Sequence, residues 1–221
     1  MTAVRRQLDQ RTLTTIPGDG HRDRLLDGLA ASIAERGYSA STVADIVRHA
    51  RTSRRTFYEH FAGKDECLIA LLTAVNTMLV ERISASIDRT APWRDQIRRG
   101  VETWIACAEA DPAVMVCAIR DLPSLNGDVA RRLHRQGMEA FVATIQTACD
   151  TDEWRAAGAG RVSRETVLIL VGGLYELAAT TVEDGRRLSE ITETAVQSSI
   201  ALLAPASPSF DSRPRDGRGA G

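Results

Sequence analysis

The sequence predicts an all-α fold in which three short N-terminal helices precede a larger helical body. Apolar residues recur at helical spacing along almost the whole of the 221-residue chain. Alternating apolar and polar stretches bounded by turns, which indicate strands, do not occur in the sequence, and it has no internal repeat. Residues at helix boundaries separate the periodic stretches and divide the chain into about nine helices: Gly37 ends one helix, a long helix begins after Gly63, and Pro92 opens another.

Three helices are expected in residues 19–64, which would form one small domain. The first carries leucine and isoleucine at helical spacing and ends at Gly37. The second opens at Thr42, which together with Asp45 resembles a capping box with Asp in place of the usual Glu or Gln. The third covers residues 53–61 and begins with a serine cap.

The remaining helices are expected in residues 65–204, as a second and larger domain. Their predicted segments are 64–88, 92–111, a short stretch from 112, 125–149, 164–183 and 188–203. Residues 150–163 are rich in Gly, Ala and polar residues, which predicts a loop. Residues 1–18 are polar and residues 205–221 are rich in Pro, Gly, Ser and charge. A flexible arm and a disordered tail are expected there.

The distribution of charge suggests that one end of the protein meets a polyanion. The net charge of the chain is only −1. Residues 1–64, however, carry 11 Lys and Arg against 7 Asp and Glu, whereas the remainder carries 17 against 22. A basic N-terminal third on an acidic body favours nucleic acid or a charged surface as a partner of that third alone.

Other features indicate a soluble cytoplasmic protein. The four cysteines are scattered and form no C-x-x-C, so we expect small core residues rather than disulfides or a metal site. The N-terminus lacks the apolar segment of a secretion signal. The longest apolar run, at 166–182, contains a glutamate and is shorter than the roughly 20 residues of a membrane-spanning helix.

Residues 51–66, RTSRRTFYEHFAGKDE, place cations at the front of a short predicted helix. Two short helices joined by a turn and braced by a preceding helix describe a helix-turn-helix. The second helix of such a unit presents its N-terminal residues to base edges in the major groove of DNA. Arg54 and Arg55 occupy that place, and arginine can bond bidentately to guanine.

The rest of this stretch divides between anchoring and backbone contact. Phe57 and Phe61 share a face that would hold the helix on the core. Tyr58 and His60 follow the arginines by one turn, where a hydroxyl and an imidazole could reach phosphates. Lys64 lies at the N-terminus of the next helix, where free amide groups favour an anion. For the tyrosine, the histidine and the lysine, plain packing or a solvated position is the alternative.

At these residues the sequence resembles a family. The segments AERGY, STVADIV and SRRTFYEHFAGKDECL are similar to the N-terminal domain of the TetR family of bacterial transcriptional regulators, over residues 19–72. The resemblance implies base contacts by Arg54, Arg55 and Thr56. It implies phosphate contacts at four positions, which are Thr42, Tyr58, His60 and Lys64.

Two residues depart from the family pattern. Arg51 stands in the turn where the family usually has glycine, and a positive φ there would cost about 1 kcal/mol. The alternatives are a strained arginine offset by a phosphate contact, or a slightly different turn. Glu59 stands where a neutral or basic residue would suit DNA better. It could accept a hydrogen bond from cytosine, or pair with Arg55 four positions earlier.

The last two helices are expected to form a homodimer interface. One helix-turn-helix makes few contacts, so proteins of this type pair their recognition helices on a near-palindromic operator in double-stranded DNA. The helix at 164–183 is apolar almost all round, and Gly172 and Gly173 would let another helix approach closely. The final helix carries a second apolar stripe. Such a four-helix interface is what the family resemblance implies; the alternative is a monomeric core.

The resemblance also implies a small-molecule effector held inside the body. We expect six side chains to line its pocket, with core packing as the alternative for each: Trp104, Cys107, Met115, Met138, Phe141 and Tyr175. Buried charge does not cluster among them, which favours a mostly apolar effector.

The functional prediction is a sequence-specific DNA-binding regulator, a homodimeric repressor released by that effector. The alternative is a helix-turn-helix regulator without an effector, controlled by a protein partner or by its expression level. An enzyme is not expected, because the sequence lacks P-loop, G-x-G-x-x-G, G-x-S-x-G and H-E-x-x-H motifs. We accordingly expect no cofactor.

Overall fold

The computed structural model of the protein describes residues 20–125, 128–158 and 161–204. These residues hold ten α-helices and two short 3₁₀ helices, Leu122–Ser124 and Leu188–Ile191. The α-helices are α1 Gly20–Arg36, α2 Val43–His49, α3 Arg54–His60, α4 Lys64–Ser86, α5 Trp93–Ala110, α6 Pro112–Arg120, α7 Asp128–Ala148, α8 Asp152–Ala156, α9 Arg164–Glu183 and α10 Thr192–Leu203. The all-α prediction is confirmed. The predicted arm at 1–18 and tail at 205–221 lie outside the described residues.

Helix α8 lies in the segment that the sequence predicts to be a loop. Thr151 caps it, because its hydroxyl accepts a hydrogen bond from the amide of Trp154 at 3.3 Å. The indole of Trp154 is only 1% exposed and packs into the core of the body. One buried aromatic side chain thus fixes a single helical turn that the composition of its neighbours does not favour.

The apolar core has two parts, and α4 contributes to both. The lower core joins α1, α2, α3 and the start of α4 with α6 and the first 3₁₀ helix. The upper core joins the end of α4 with α5, α7, α8, α9, α10 and the second 3₁₀ helix. Helix α6 therefore packs with the N-terminal helices, although it lies beyond residue 64. The domain boundary there stays a prediction.

The first two helices pack closely at a glycine. A Cβ added to Gly28 of α1 would lie 2.5 Å from the carbonyl oxygen of Ile46 and 3.0 Å from the Cβ of Ala50. A side chain there would have to push α2 away from α1. The orientation of α2, and through the following turn that of α3, therefore depends on this contact.

Two helices, α4 and α9, are long and apolar enough to cross a membrane by length and composition alone. Both contribute residues to the cores just described, Leu68 and Leu71 from α4 and Val167 and Ala178 from α9. Such core helices satisfy the same criterion, so it is weak evidence for a membrane segment. All four cysteines are free and buried, as expected of small core residues.

Candidate functional site

Helices α2 and α3 are joined by a turn that has a strained residue at its centre. Arg51 has a φ of 50°, in the left-handed region that favours glycine. Its amide donates to the carbonyl of Arg48 at 3.3 Å, and the amide of Thr52 donates to that of Val47 at 3.0 Å. This is the Schellman pattern that ends helices, with an arginine in the usual glycine position. The positive φ considered from the sequence is therefore present.

Helix α3 begins at a serine cap. Ser53 accepts a hydrogen bond from the amide of Thr56 at 3.0 Å, and the two hydroxyl oxygens lie 3.0 Å apart. The Thr56 hydroxyl is thus engaged within the cap. Its predicted base contact stays a prediction.

The two arginines after the cap face outward. Arg54 and Arg55 are both exposed, and the Arg55 side chain retains 90% of its accessible surface. The Nε of Arg55 donates to Oε1 of Glu59 at 3.1 Å. The intrahelical pair suggested by the sequence is present, and it holds one edge of the guanidinium on the helix. The other N–H groups of Arg55 stay available to a ligand.

Aromatic rings anchor α3 on the lower core. Phe57 is fully buried, and the Phe61 ring packs against it with 5.7 Å between ring centroids. Tyr58, on the outer face, is 60% exposed and meets the Phe57 ring edge-on at 5.4 Å. His60 is half-buried beside Phe61. The predicted division between anchoring phenylalanines and an outward tyrosine matches these positions.

The start of α2 has the capping box that the sequence indicates. The amide of Thr42 donates to the carboxylate of Asp45 at 3.1 Å, and the amide of Asp45 donates to the Thr42 hydroxyl at 3.3 Å. The hydroxyl of Thr42 donates to the same carboxylate, which lowers the pKa of Asp45 below its usual value. The phosphate contact of this exposed threonine stays a prediction.

An exposed ionic network joins the end of α1 to α2. Glu35 accepts from Arg48 at 3.0 Å, lies 2.9 Å from the ring nitrogen of His49 and pairs with Arg36 at 3.4 Å. These partners, Arg48 foremost, lower the pKa of Glu35 to about 2. The carboxylate therefore stays ionised, and able to pair with α2, at any pH above the acid range. This network could not be predicted from the sequence, because Glu35 lies 13 and 14 positions from its partners on α2.

Lys64 is turned toward the protein. Its ammonium donates to the carbonyls of Tyr38 and Ser41, both at 3.0 Å, and lies 3.5 Å from that of Ser39. The charge also stands 4.3 Å from the centre of the Tyr38 ring. These contacts occupy the N–H groups of the ammonium that would otherwise donate to a phosphate. The predicted phosphate contact is untested, and a second role of holding the α1–α2 loop is evident.

Two small apolar cavities lie between the helices of the body. Cavity A, of about 100 Å³, is lined by side chains of α4, α5, α7, α8, α9 and α10. Cavity B, of about 90 Å³, lies between α4, α5, α6 and α9. Both are below the roughly 300 Å³ typical of ligand pockets. The rings of Trp104 and Tyr175 line both cavities and stack with centroids 6.2 Å apart, so they form the wall between them.

The structure distributes the predicted pocket residues over three places. Trp104, Phe141 and Tyr175 line cavity A, while Cys107 and Met115 line cavity B with the shared wall. Met138 instead lines a surface groove of about 370 Å³ beside α7 and α9. That groove is separate from both cavities, because α7 presents Met138 and Phe141 to different surroundings. The effector role of all six residues stays a prediction.

Two further residues line cavity A and were not predicted from the sequence. Gln96 and Trp154 line it and are 3% and 1% exposed. Among the described residues, the buried side-chain polar atoms without a partner are Asp23 Oδ1, Gln96 Oε1 and Trp154 Nε1. Two of these three thus belong to one cavity. No local signal in the sequence marks them. One is a glutamine on α5 and the other a tryptophan in a predicted loop, and only the folded chain brings both to the same cavity.

Helix α9 exposes an apolar, glycine-containing face. Ile169 is 64% exposed, and Gly172 and Gly173 follow it by one turn. Apart from the chain neighbours and the adjacent backbone of α9 itself, no atom of the described residues would lie within 4 Å of a Cβ added to either glycine. On α10, Leu202 is also exposed. The described residues of the same chain therefore leave this face of α9 exposed.

Together, the fold and these sites define an all-helical protein with an N-terminal helix-turn-helix and a larger body that contains apolar cavities. Residues 25–71 match the family model of bacterial regulatory proteins, tetR family. The predicted resemblance to the TetR family is confirmed over these residues.

Named relatives and solved structures are also similar to the chain. The chain is similar to the transcriptional activator FasR of Mycolicibacterium smegmatis, with 29% identity over 43% of this chain and 44% of FasR. It is 38% identical to the transcriptional repressor KstR2 of Mycobacterium tuberculosis over 33% of this chain and 36% of KstR2. The matches therefore span less than half of each of these relatives. FadR of Bacillus subtilis, solved with stearoyl-CoA, has the same fold, with a TM-score of 0.70 and 16% identity over 83% of this chain and 98% of FadR.

Proposed function

We propose that the protein is a cytoplasmic, sequence-specific DNA-binding transcriptional regulator that acts as a homodimer. The observation that carries the proposal is the geometry of α3. Its serine cap and buried phenylalanines fix the helix, and Arg54 and Arg55 then point away from the protein at its N-terminal end. This is the end from which a recognition helix reads base edges in the major groove.

The exposed face of α9 supports the homodimer. An apolar face with Ile169 and two adjacent glycines permits close helix packing. Burying this face is favourable, and the described part of the chain leaves it exposed. A second copy presents the same face, so the interface would be self-complementary about a two-fold axis. Two recognition helices would then meet successive major grooves of a near-palindromic operator.

Control by a small, mostly apolar effector is proposed from the interior of the body. Cavities A and B are lined almost wholly by apolar side chains and are separated only by the Trp104–Tyr175 pair. FadR, which shares the fold, was solved with stearoyl-CoA. The small volumes of the two cavities instead favour the alternative, a regulator without an effector. The relatives include an activator and a repressor, and we propose repression as the family's commonest mode.

The proposal is tested by titrating the full chain with the intergenic DNA that flanks its own gene, at several salt concentrations. The slope of log affinity against log salt counts phosphate contacts, at about 0.9 for each. We expect tight binding to one segment and weak binding to a scrambled duplex of the same composition. Indifferent binding to both duplexes contradicts sequence-specific recognition.

Two variants locate the surface. Arg54→Ala is expected to weaken binding to the preferred segment by about 1–3 kcal/mol and to reduce its preference over scrambled DNA. Arg132→Ala, which removes an exposed arginine from α7 in the body, is the matched control and should leave both affinities unchanged. Equal losses in the two variants would exclude α3 as the reading element.

A further inference from the structure

The last residue of α6 ties this helix to α9 through its guanidinium. Nε and Nη2 of Arg120 donate to the two carboxylate oxygens of Glu183 at 2.8 and 3.0 Å. Nη1 and Nη2 donate to the two oxygens of Glu176 at 2.7 and 3.0 Å. One guanidinium therefore holds two carboxylates of α9, each through two hydrogen bonds, and this bidentate geometry is the strong form of an ion pair.

Helix α6 directly connects the N-terminal helices with α9. Val114 and Cys117 of α6 are buried in the lower core, where α6 packs against α1. Helix α6 also packs against α9. In the described part of the chain, α1, α2 and α3 have no comparable contact with α9 of their own. The orientation of the helix-turn-helix relative to α9 therefore depends on how firmly α6 is held.

Both glutamates lie on the face of α9 that we propose as the dimer contact. Ile169, Gly172, Glu176 and Glu183 follow one another at intervals of three, four and seven positions, which fall on one face of an α-helix. Isolated exposed ion pairs contribute little, but bidentate pairs that share one guanidinium are the exception. Arg120 thus fixes the end of α6 beside the proposed interface.

We infer that Arg120 is a positioning residue that sets the separation of the two recognition helices in the dimer. It would act through α6 and not by touching DNA. Each copy of the chain then presents α3 at a set distance and angle from the two-fold axis, so the protein selects operators by the spacing of their half-sites. This inference rests on the proposed function, because it requires a DNA-binding homodimer.

Arg98 offers a matched control within the body. Its Nη1 and Nη2 donate to the two carboxylate oxygens of Glu193 at 2.9 and 3.0 Å, which joins α5 to α10. The Arg98 and Arg120 side chains are similarly exposed, at 38% and 35%. Both α5 and α10 belong to the upper core. Removal of Arg98 therefore breaks a similar interhelical ion pair but leaves the contact between α6 and α9 intact.

The test uses the preferred DNA segment from the titration above, with no, one or two base pairs inserted at its centre. Each inserted pair moves one half-site by about 3.4 Å and turns it by about 35° relative to the other. Binding of the full-length protein is measured by fluorescence anisotropy. We expect the unmodified protein to bind the segment with one inserted pair at least about fivefold more weakly, as the loss of one bidentate base contact requires.

Arg120→Met removes the charge and all four hydrogen bonds. It should bind the original segment about three- to tenfold more weakly, because binding must then order two loosely connected units. It should also lose most of the penalty for inserted pairs and bind scrambled DNA as the unmodified protein does. Arg98→Met should keep both the affinity and the penalty.

A second variant tests the same contact from α9. Glu176→Gln combined with Glu183→Gln keeps the size of both side chains and removes their charges, and it should relax the spacing preference as Arg120→Met does. Adding Arg120→Met to this pair should change little further, because members of one network are not additive. Light scattering of each variant checks that it remains a dimer, and the glutamine pair decides if Arg120→Met does not.

An insertion penalty in Arg120→Met as large as in the unmodified protein would overturn the inference. An equal relaxation in Arg98→Met, or the absence of any penalty in the unmodified protein, would overturn it too. The proposed function fails separately, when the unmodified protein does not prefer its segment over scrambled DNA. An intact preference beside a penalty that does not depend on Arg120 rejects the positioning role alone.

Discussion

The ammonium of Lys64 lies 3.0 Å from the carbonyl oxygen of Tyr38 and 4.3 Å from the centre of its ring. The neighbouring Asp65 accepts a hydrogen bond from the Tyr38 hydroxyl. Burial, followed by this hydrogen bond, raises the pKa of Tyr38 above its ordinary value. One residue of the α1–α2 loop is thus held by two consecutive residues at the start of α4, which connects the DNA-facing helices to the body.

Lys64→Met is expected to lower the free energy of unfolding by about 1–3 kcal/mol, because partly buried carbonyls lose their donor. Tyr38→Phe keeps the ring and the carbonyl and should cost less. Urea unfolding of the two variants measures the difference, and a larger loss in Tyr38→Phe would contradict the assigned role. The salt dependence of DNA binding tests the predicted phosphate contact of Lys64 separately, since loss of the contact lowers the slope by about 0.9 for each copy of the chain on the DNA.

Arg51→Gly is expected to raise the free energy of unfolding by up to about 1 kcal/mol. Glycine adopts positive φ without the Cβ clash, although its greater freedom in the unfolded chain reduces the gain. Arg51→Val should destabilise the protein, because β-branched residues tolerate this region worst. Thermal unfolding of both variants makes the comparison. Equal stability of the glycine and valine variants would show that the turn is not strained.

Glu59→Gln is expected to strengthen binding to every DNA sequence and to reduce the preference for the operator. The change removes a negative charge from the DNA-facing side of α3 and releases the guanidinium of Arg55 from its 3.1 Å partner. Titration with operator and scrambled duplexes measures both effects. Glu102→Gln on α5 is the control, and a similar response there would assign the effect to net charge alone.

The stability of the protein should fall in acid partly through Glu35. Its pKa is lowered from 4.5 to about 2 in the folded protein, so its contribution is fully present above about pH 5 and is lost as the pH falls toward 2. Glu35→Gln lacks this contribution at every pH. Unfolding free energies of the two proteins should therefore differ at pH 7 and converge near pH 2. A constant difference across that range would refute the linkage.

Gly173→Gln is expected to convert the proposed dimer to a folded monomer. A Cβ at this position meets no atom of the described residues, and glutamine favours a helix more than glycine does. The larger side chain would nevertheless separate two packed copies of α9. Light scattering over a range of concentrations measures the mass, with Arg132→Gln on α7 as the control. A Gly173→Gln dimer as tight as the unmodified one would exclude this face as the interface.

Much of the helix-turn-helix could be predicted from the sequence, because its main contacts join residues that are close together in the chain. Caps such as Ser53, the phenylalanine pair and the Arg55–Glu59 pair act within four residues of each other, so their spacing already determines their contacts. The strained turn at Arg51 could be suspected because glycine is the expected residue there.

The remaining contacts could not be predicted, because they join segments that are distant in the sequence. Lys64 lies 26 positions from Tyr38, and its ammonium could not be assigned to that carbonyl before the chain was folded. Gln96 and Trp154 meet at one cavity from a helix and a predicted loop. The placement of Met138 away from Phe141 depends on how α7 is rotated against its neighbours, which periodicity alone does not determine.

Between Leu72 and Ile83, no residue of α4 is fully buried, although both ends of the helix are anchored in separate cores. Val75, Asn76 and Leu79 face the empty space of cavity B instead. The middle of α4 is therefore packed less tightly than its two ends, and it is the segment in which we expect the helix to be most flexible. The amide protons of this segment should therefore exchange with deuterium faster than those at either anchored end.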